Sequence, residues 1–256
     1  MINIFVSELF YCPIKSLSFK KSKNLIINPI SGIKNDRILA FTRGLDKESS
    51  NRFNESNKRS LNHFLTLKNS PYLKKFNIIF DEKSNNIELF LNNEKLLKVN
   101  IFDKNETKKI EYFLESVDKK IKKPIYLIYN KESPFFDTTP EISVSLININ
   151  SVKNFEKKIN HQLDIERFRG NIIIDNLDPW EEFKLLDKNI KIGNVLFKVS
   201  SRIPRCSATN INPENYELDL NIPNKLINLY GHKDMGVYLV PKNQGIININ
   251  DRVIVD

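Results

Sequence analysis

Residues 189–214 read NIKIGNVLFKVSSRIPRCSATNINPE. The opening NIKIGNVLFKVS (189–200) is a β-prone run and predicts strand. It leads into a proline-containing loop that holds Cys206, with Arg202 and Arg205 before it and Ser207 and Thr209 after it. A lone cysteine is most often a small buried hydrophobe. Cationic neighbours, however, favour thiolate over thiol, and thiolate is the form that attacks electrophiles or ligates soft metals.

Outward from that stretch the same grammar recurs. In the first hundred residues INIFVSELFY, NLIINPI, RILAFT, FNIIF, NIELFL and KLLKVNIF are short β-prone runs between polar or turn residues. Residues 43–60 are polar and read as loop. Residues 106–121 place Ile110, Phe113, Leu114, Val117 and Ile121 at helical spacing and predict the clearest helix. NKESPFFDTTP (130–140) reads as a loop between halves. Beyond it ISVSLI, GNIIID, GVYLV and GIININDRVIV predict strands, INSVKNFEKKI a helix, and NKLINLYG a short helix stopped by Gly231. Many strands, short helices and no regular βαβ alternation predict a β-rich α+β protein built on β-barrels, not a doubly wound sheet. A division falls near 104–130, with one domain over 1–104 and another over 105–256.

Composition narrows the function classes. The chain has 256 residues, 40% of them hydrophobic and 10% aromatic, enough for a core. No apolar run approaches the roughly 20 residues of a membrane helix, so no membrane span is expected. Two cysteines far apart make neither a disulfide framework nor a four-thiolate zinc site. With no signal-peptide pattern at the N-terminus, a cytoplasmic location is expected. The formal charge of +9 invites nucleic acid. The basic residues are nevertheless scattered among acids and mostly lysine, so nucleic acid is not expected as a partner. Arginine is scarcer, and Arg167, Arg169, Arg202 and Arg205 fall in two short segments, where a planar bidentate donor for phosphate or carboxylate would matter.

Other short motifs are weak singly. RFRGN (167–171) puts two arginines at i and i+2, on one side of an extended chain, where they could clamp one anion. Lys15 and Ser16 in CPIKS offer an ammonium and a hydroxyl in a turn. NDR (35–37) adds Arg37, and FDTTP adds Thr138 and Thr139. PWEE (179–182) reads as the start of a turn or helix. His232 reads as a surface-loop histidine, and Cys12 as a packed thiol.

Taken in order, PIKS, NDR, DTTP, RFRGN, PWEE, PRCSATNINPE, YGHKDMGVY and GIININD resemble a MOSC-domain protein with a MOSC N-terminal β-barrel. That family includes the mitochondrial amidoxime-reducing component and its bacterial relatives, and the C-terminal part of molybdenum-cofactor sulfurases. The resemblance covers essentially the whole chain. RFRxN, PWxE and RC-x-x-T-x-x-x-P in register are its specific elements. It implies an N-terminal MOSC-type barrel packed on a C-terminal MOSC barrel, with a molybdenum–pyranopterin cofactor in the cleft between them. Cys206 would ligate the metal. Lys15, Ser16, Arg37, Thr138, Thr139, Arg167, Arg169, Asn171, Pro204, Arg205 and Tyr238 would hold the pterin and its phosphate. Two departures stand out: Gly170 replaces the usual proline of RFRPN, and Pro204 stands where reductases often carry a small polar residue.

The implied activity is an oxidoreductase that reduces an N–O or S–O bond of a small-molecule substrate. No ferredoxin-like cysteine cluster follows, so a separate electron-donor protein is expected. Two alternatives stand beside it. In one, Cys206 carries a persulfide and transfers sulfur; in the other, the protein holds the cofactor without turnover.

Overall fold

The computed structural model describes residues 3–56, 59–136, 142–215 and 217–255. The first half contains β1 (Phe5–Tyr11), β2 (Lys20–Ser22), β3 (Asn24–Asn28), β4 (Gly32–Ile33), β5 (Leu39–Arg43), α1 (Lys47–Glu55), β6 (Phe76–Asp81), β7 (Asn86–Leu91), β8 (Glu94–Asn100), α2 (Lys104–Val117) and β9 (Ile125–Tyr129). The second contains β10 (Val144–Asn148), α3 (Ile149–Ile159), β11 (Ile172–Asp175), β12 (Asn189–Ile192), β13 (Val195–Pro204), α4 (Ile222–Tyr230), β14 (Asp234–Pro241), β15 (Gly245–Asn248) and β16 (Val253–Val255). The protein is β-rich α+β. No helix among the described residues is long and apolar enough to cross a membrane.

An eight-stranded sheet runs β16-β12-β13-β14-β10-β11-β1-β2. All its pairings are antiparallel except β10 with β11. One face packs a core with the small β15-β3-β4 sheet, through Leu25, Ile27, Ile33 and Ile247. The other face is covered by α3 and α4, through Val152, Phe155, Ile222 and Leu226. A second core lies in the first half, where the β6-β7-β8 sheet, β5 and β9 surround α2. β6 shows why it pairs as it does: Phe76, Ile78 and Phe80 are buried and the residues between them exposed, the period-2 pattern of a half-covered strand. The halves interlock, since β1 pairs with β11 and β3 with β15. Ile211, five residues after Cys206, is buried in the first-half core.

Three expectations need correction. Residues 43–60 hold α1, a helix without an apolar stripe. It is nucleated by Asp46, whose carboxylate accepts from Ser49 N at 2.7 Å and Ser49 Oγ at 3.0 Å. The helix expected to reach 121 ends at Val117, because Asp118 leaves helical geometry and accepts from Lys120 N and Ser70 Oγ. Ile121 still reaches the core from the turn beyond. The single runs 189–200 and 245–255 each split. Gly193 at φ +57° turns β12 into β13, and Asn250 at φ +71° lies between β15 and β16.

Candidate functional site

The loop after β13 is pinned at both ends. On one side Pro204 pairs with Asp234 of β14 and Arg205 N donates to Lys233 O at 2.9 Å. On the other, Ile211 is anchored in the first-half core. Between them Cys206 precedes a 3-10 turn, Ser207–Asn210. Its carbonyl accepts from Thr209 N at 3.0 Å and Thr209 Oγ1 at 2.8 Å. The backbone of Cys206 is therefore fixed while its thiol is exposed.

Arg205 lies buried beneath it. Its Nε donates to Met235 O at 2.9 Å and Nη1 to Phe168 O at 2.8 Å, and Nη2 also meets Met235 O. Its acceptors are carbonyls, and among the described residues it makes no ion pair. Burial pushes its guanidinium down to about 10, while Tyr238, Cys206 and Asp234 pull it back toward the charged form. Cys206 thus follows directly on a buried cation whose hydrogen-bond acceptors are backbone carbonyls.

RFRGN is not extended. Ile165–Phe168 form a 3-10 turn started by Asp164, whose carboxylate accepts from Glu166 N at 2.8 Å, and Arg169 closes it at φ +50°. Arg167 and Arg169 consequently part company, and a joint clamp on one anion does not form. Arg167 turns inward to a bidentate pair with Asp219, at 2.8 and 2.9 Å, and to Thr209 O at 3.1 Å. It thereby braces the Cys206 loop. Asn171 is buried too: its Oδ1 accepts from Ser145 N and Oγ, and its Nδ2 donates to Phe10 O, tying β10 and β1 together. Gly170 has a steric reason to be glycine. A Cβ there would sit 2.5 Å from Ile147 Cδ1 in the core.

Arg169 reaches the other half. Its Nη2 donates to Ser18 O at 2.9 Å and to Cys12 Sγ at 3.0 Å, and its guanidinium lies 5.0 Å from the Phe19 ring centroid. The Cys12–Ser18 turn is thus a hub. Arg37 N donates to Cys12 O at 2.7 Å, and Asp36 accepts from Cys12 N through Oδ1 while pairing with Arg37 through Oδ2. Lys15, buried, donates to Phe135 O at 2.9 Å and lies over the Phe64 ring. Ser16, at φ +66°, accepts from Leu67 N through Oγ. Phe135 and Phe136 contact Lys15 and Arg37, directly before Thr138 and Thr139, which lie outside the described residues.

The structure thus gathers Lys15, Arg37 and Arg169 around one turn. Arg205 and Cys206 connect to it through Phe168, and Pro204 sits at the strand end. Tyr238 lies on β14 opposite Ser145 and Ser201, within electrostatic reach of Arg205. Arg167 and Asn171 are engaged within the framework. Sequence reasoning missed Asp219, which carries no motif beyond a carboxylate in a loop, the pairing role of Asp36 inside NDR, and the polar use of Cys12. PWEE is structural: Glu182 is buried, accepts from Ser151 Oγ and Asn148 Nδ2, and burial raises its carboxyl. His232 is half-buried among Trp180, Phe183 and Tyr230 and is held toward neutrality mainly by burial. Among the described residues no three of His, Cys, Asp or Glu converge as a metal cage.

Comparison with known proteins bears on the same segment. Residues 136–254 match the MOSC domain. A molybdenum cofactor sulfurase from Drosophila mojavensis is 36% identical over 72 residues, 28% of this chain and 9% of the sulfurase. The YUAD protein from Bacillus subtilis superposes over 98% of this chain and 94% of its own, with a TM-score of 0.46 and 11% identity. YiiM from Escherichia coli does so over 44% and 53%, with a TM-score of 0.35 and 16% identity. The similarity to the MOSC domain thus spans residues 136–254, the part of the chain that carries the Cys206 loop.

Proposed function

We propose that this chain holds a molybdenum–pyranopterin cofactor where the Cys206 loop meets the Cys12–Ser18 turn, and uses it to reduce an N–O or S–O bond of a small molecule. The observation that carries the proposal is the exposed Cys206 on a fixed backbone, beside a buried Arg205 that makes no ion pair among the described residues. The donor set fits the group. A thiolate suits a soft-tolerant metal, and the cations suit a phosphorylated pterin.

When bound, the cofactor would supply a metal centre able to take an oxygen atom in a two-electron step. The chain's own residues do the rest. Cys206 would be the protein's ligand to the metal, on a loop that the buried Arg205 beside it anchors. Arg169, Arg37 and Lys15 would bind the anionic end, with Ser16, Thr138 and Thr139 as hydroxyl donors and Tyr238 and Pro204 lining the approach. Arg167 and Asn171 would keep the loops in register. In this proposal residues 1–104 act as the MOSC N-terminal-like barrel closing one side of the cleft, and 105–256 form the catalytic domain. A separate electron-donor protein would feed the centre, and a reducing cytoplasm would keep the thiol free.

The test is elemental analysis for molybdenum and phosphorus, with pterin fluorescence after oxidation, on protein made in a cofactor-competent host. Near-stoichiometric metal and pterin, with metal lost in Cys206→Ala, is the expected result. An unbonded, exposed thiol also favours a second reading, a persulfide carrier. Cyanide-releasable sulfur on Cys206 without metal or pterin would overturn the first proposal in favour of the second.

A further inference from the structure

Of the four arginines that the sequence gathers in two short segments, three are committed to the protein itself. Arg167 pairs with Asp219, Arg169 donates to Cys12 and Ser18, and Arg205 donates to backbone carbonyls. Arg202 differs. It is exposed, and among the described residues it makes no hydrogen bond and no ion pair. Its guanidinium instead lies over the Phe183 ring, 4.3 Å from the centroid. Phe183 is buried and fixed in the 3-10 turn Glu181–Leu185. Contact with a ring face occupies the plane of a guanidinium and leaves its N–H edge free to donate.

Two routes place this arginine at the rim of the Cys206 loop. The first runs along the chain. Arg202, Pro204 and Cys206 are exposed, and Ile203 and Arg205 between them are buried. Four residues of extended chain set Arg202 and Cys206 no more than about 14 Å apart at the backbone. The second runs across the sheet. Pro204 pairs with Asp234, and Arg205 N donates to Lys233 O, so the same register continued by one residue brings His232 opposite Cys206. The His232 ring meets Phe183 with centroids 5.4 Å apart, and Phe183 carries Arg202.

We propose that Arg202 is the specificity-determining residue of the Cys206 site, selecting small molecules that carry a carboxylate at the end remote from the reacting bond. A guanidinium fork matches the two oxygens of a carboxylate, and one already seated on a ring loses less freedom on binding than a free side chain. The inference deepens the cofactor proposal and rests on it for the identity of the reacting bond; the preference for a carboxylate needs only the chain.

The probes are 4-carboxybenzamidoxime and its uncharged 4-carboxamide, which differ in charge at one end. Each is titrated calorimetrically into the full chain made without cofactor, at fixed low ionic strength. The wild type should bind the carboxylate about fivefold tighter or more, the scale of a bidentate contact at an exposed site. Arg202→Met keeps an apolar stem for Phe183 and should erase that preference. Arg202→Lys should keep part of it, and Lys108→Met, on the exposed side of α2, should keep all of it. No preference in the wild type, a preference that survives Arg202→Met, or an equal loss in Lys108→Met would each overturn the inference. Protein from a cofactor-competent host separates the two proposals. If it holds neither molybdenum nor pterin while the calorimetric preference still depends on Arg202, the cofactor proposal fails and the carboxylate site stands. If it is loaded and reduces both probes, Arg202→Met should raise the KM of the carboxylate about fivefold relative to that of the carboxamide. An unmoved KM ratio in the loaded protein would leave the cofactor proposal standing and overturn the role of Arg202.

Discussion

Arg169 donates through Nη2 to the sulfur of Cys12 at 3.0 Å, a contact between residues 157 positions apart. Cys12 has no exposed surface, and its thiol lies within reach of Ile14 O and Ser18 O. The sulfur is therefore part of the mount for an arginine that crosses between the halves. Cys12→Ala should destabilise the protein by about 1–2 kcal/mol, from a small cavity and a lost acceptor. Cys12→Ser keeps an acceptor and should cost less. Urea unfolding midpoints at a common slope would check the order; equal stability of Cys12→Ala and wild type would contradict it.

The two thiols differ in access, Cys206 exposed and Cys12 buried. A disulfide-exchange reagent added to native protein made without cofactor should titrate one thiol quickly and the second only after denaturation. Cys206→Ser should abolish the fast phase. Two fast thiols in the native protein would be inconsistent with a buried Cys12.

Asp219 is held ionised by the hydrogen bonds from Arg167, so its folded carboxyl titrates below the unfolded one. The sign follows from linkage. This pair's stabilisation is fully present above the ordinary carboxylate range and is lost as pH falls through and below it. Asp219→Asn should lower stability at pH 7 and flatten the acid limb of the stability profile. Asp219→Ala should cost about 3 kcal/mol or more, since it leaves Arg167 buried and unpaired. Chemical denaturation from pH 7 down to pH 3 would measure both.

Gly170 has no room for a side chain beside Ile147. Gly170→Ala should cost about 1–3 kcal/mol. Much of that increment should disappear in an Ile147→Ala background, where both clashing atoms are gone. A double-mutant cycle reads the coupling directly, and additive costs would rule out the steric explanation.

Much of the secondary structure was legible because its causes are local. β6 announces itself by alternation, α3 by an apolar face over the predicted 149–159, and α4 by the glycine that stops it. α1 was illegible because a cap, not a stripe, starts it: Asp46 binds Ser49, and only Ser50 is buried. The ends of 189–200 and 245–255 looked continuous because a single left-handed residue in each, Gly193 or Asn250, leaves hydrophobic composition unchanged.

By itself the sequence determined the class of fold and the motif order that matches a MOSC domain, since periodicity, turn residues and short spaced motifs are properties of neighbouring positions. Only the tertiary structure decided what each arginine does. Arg167 and Arg169 are two residues apart, yet a 3-10 turn sends one to Asp219 and the other to Cys12. Partners 52 or 157 positions away are chosen by how the strands and turns pack, and a side chain's charge acquires its role only from the dielectric and neighbours that packing creates.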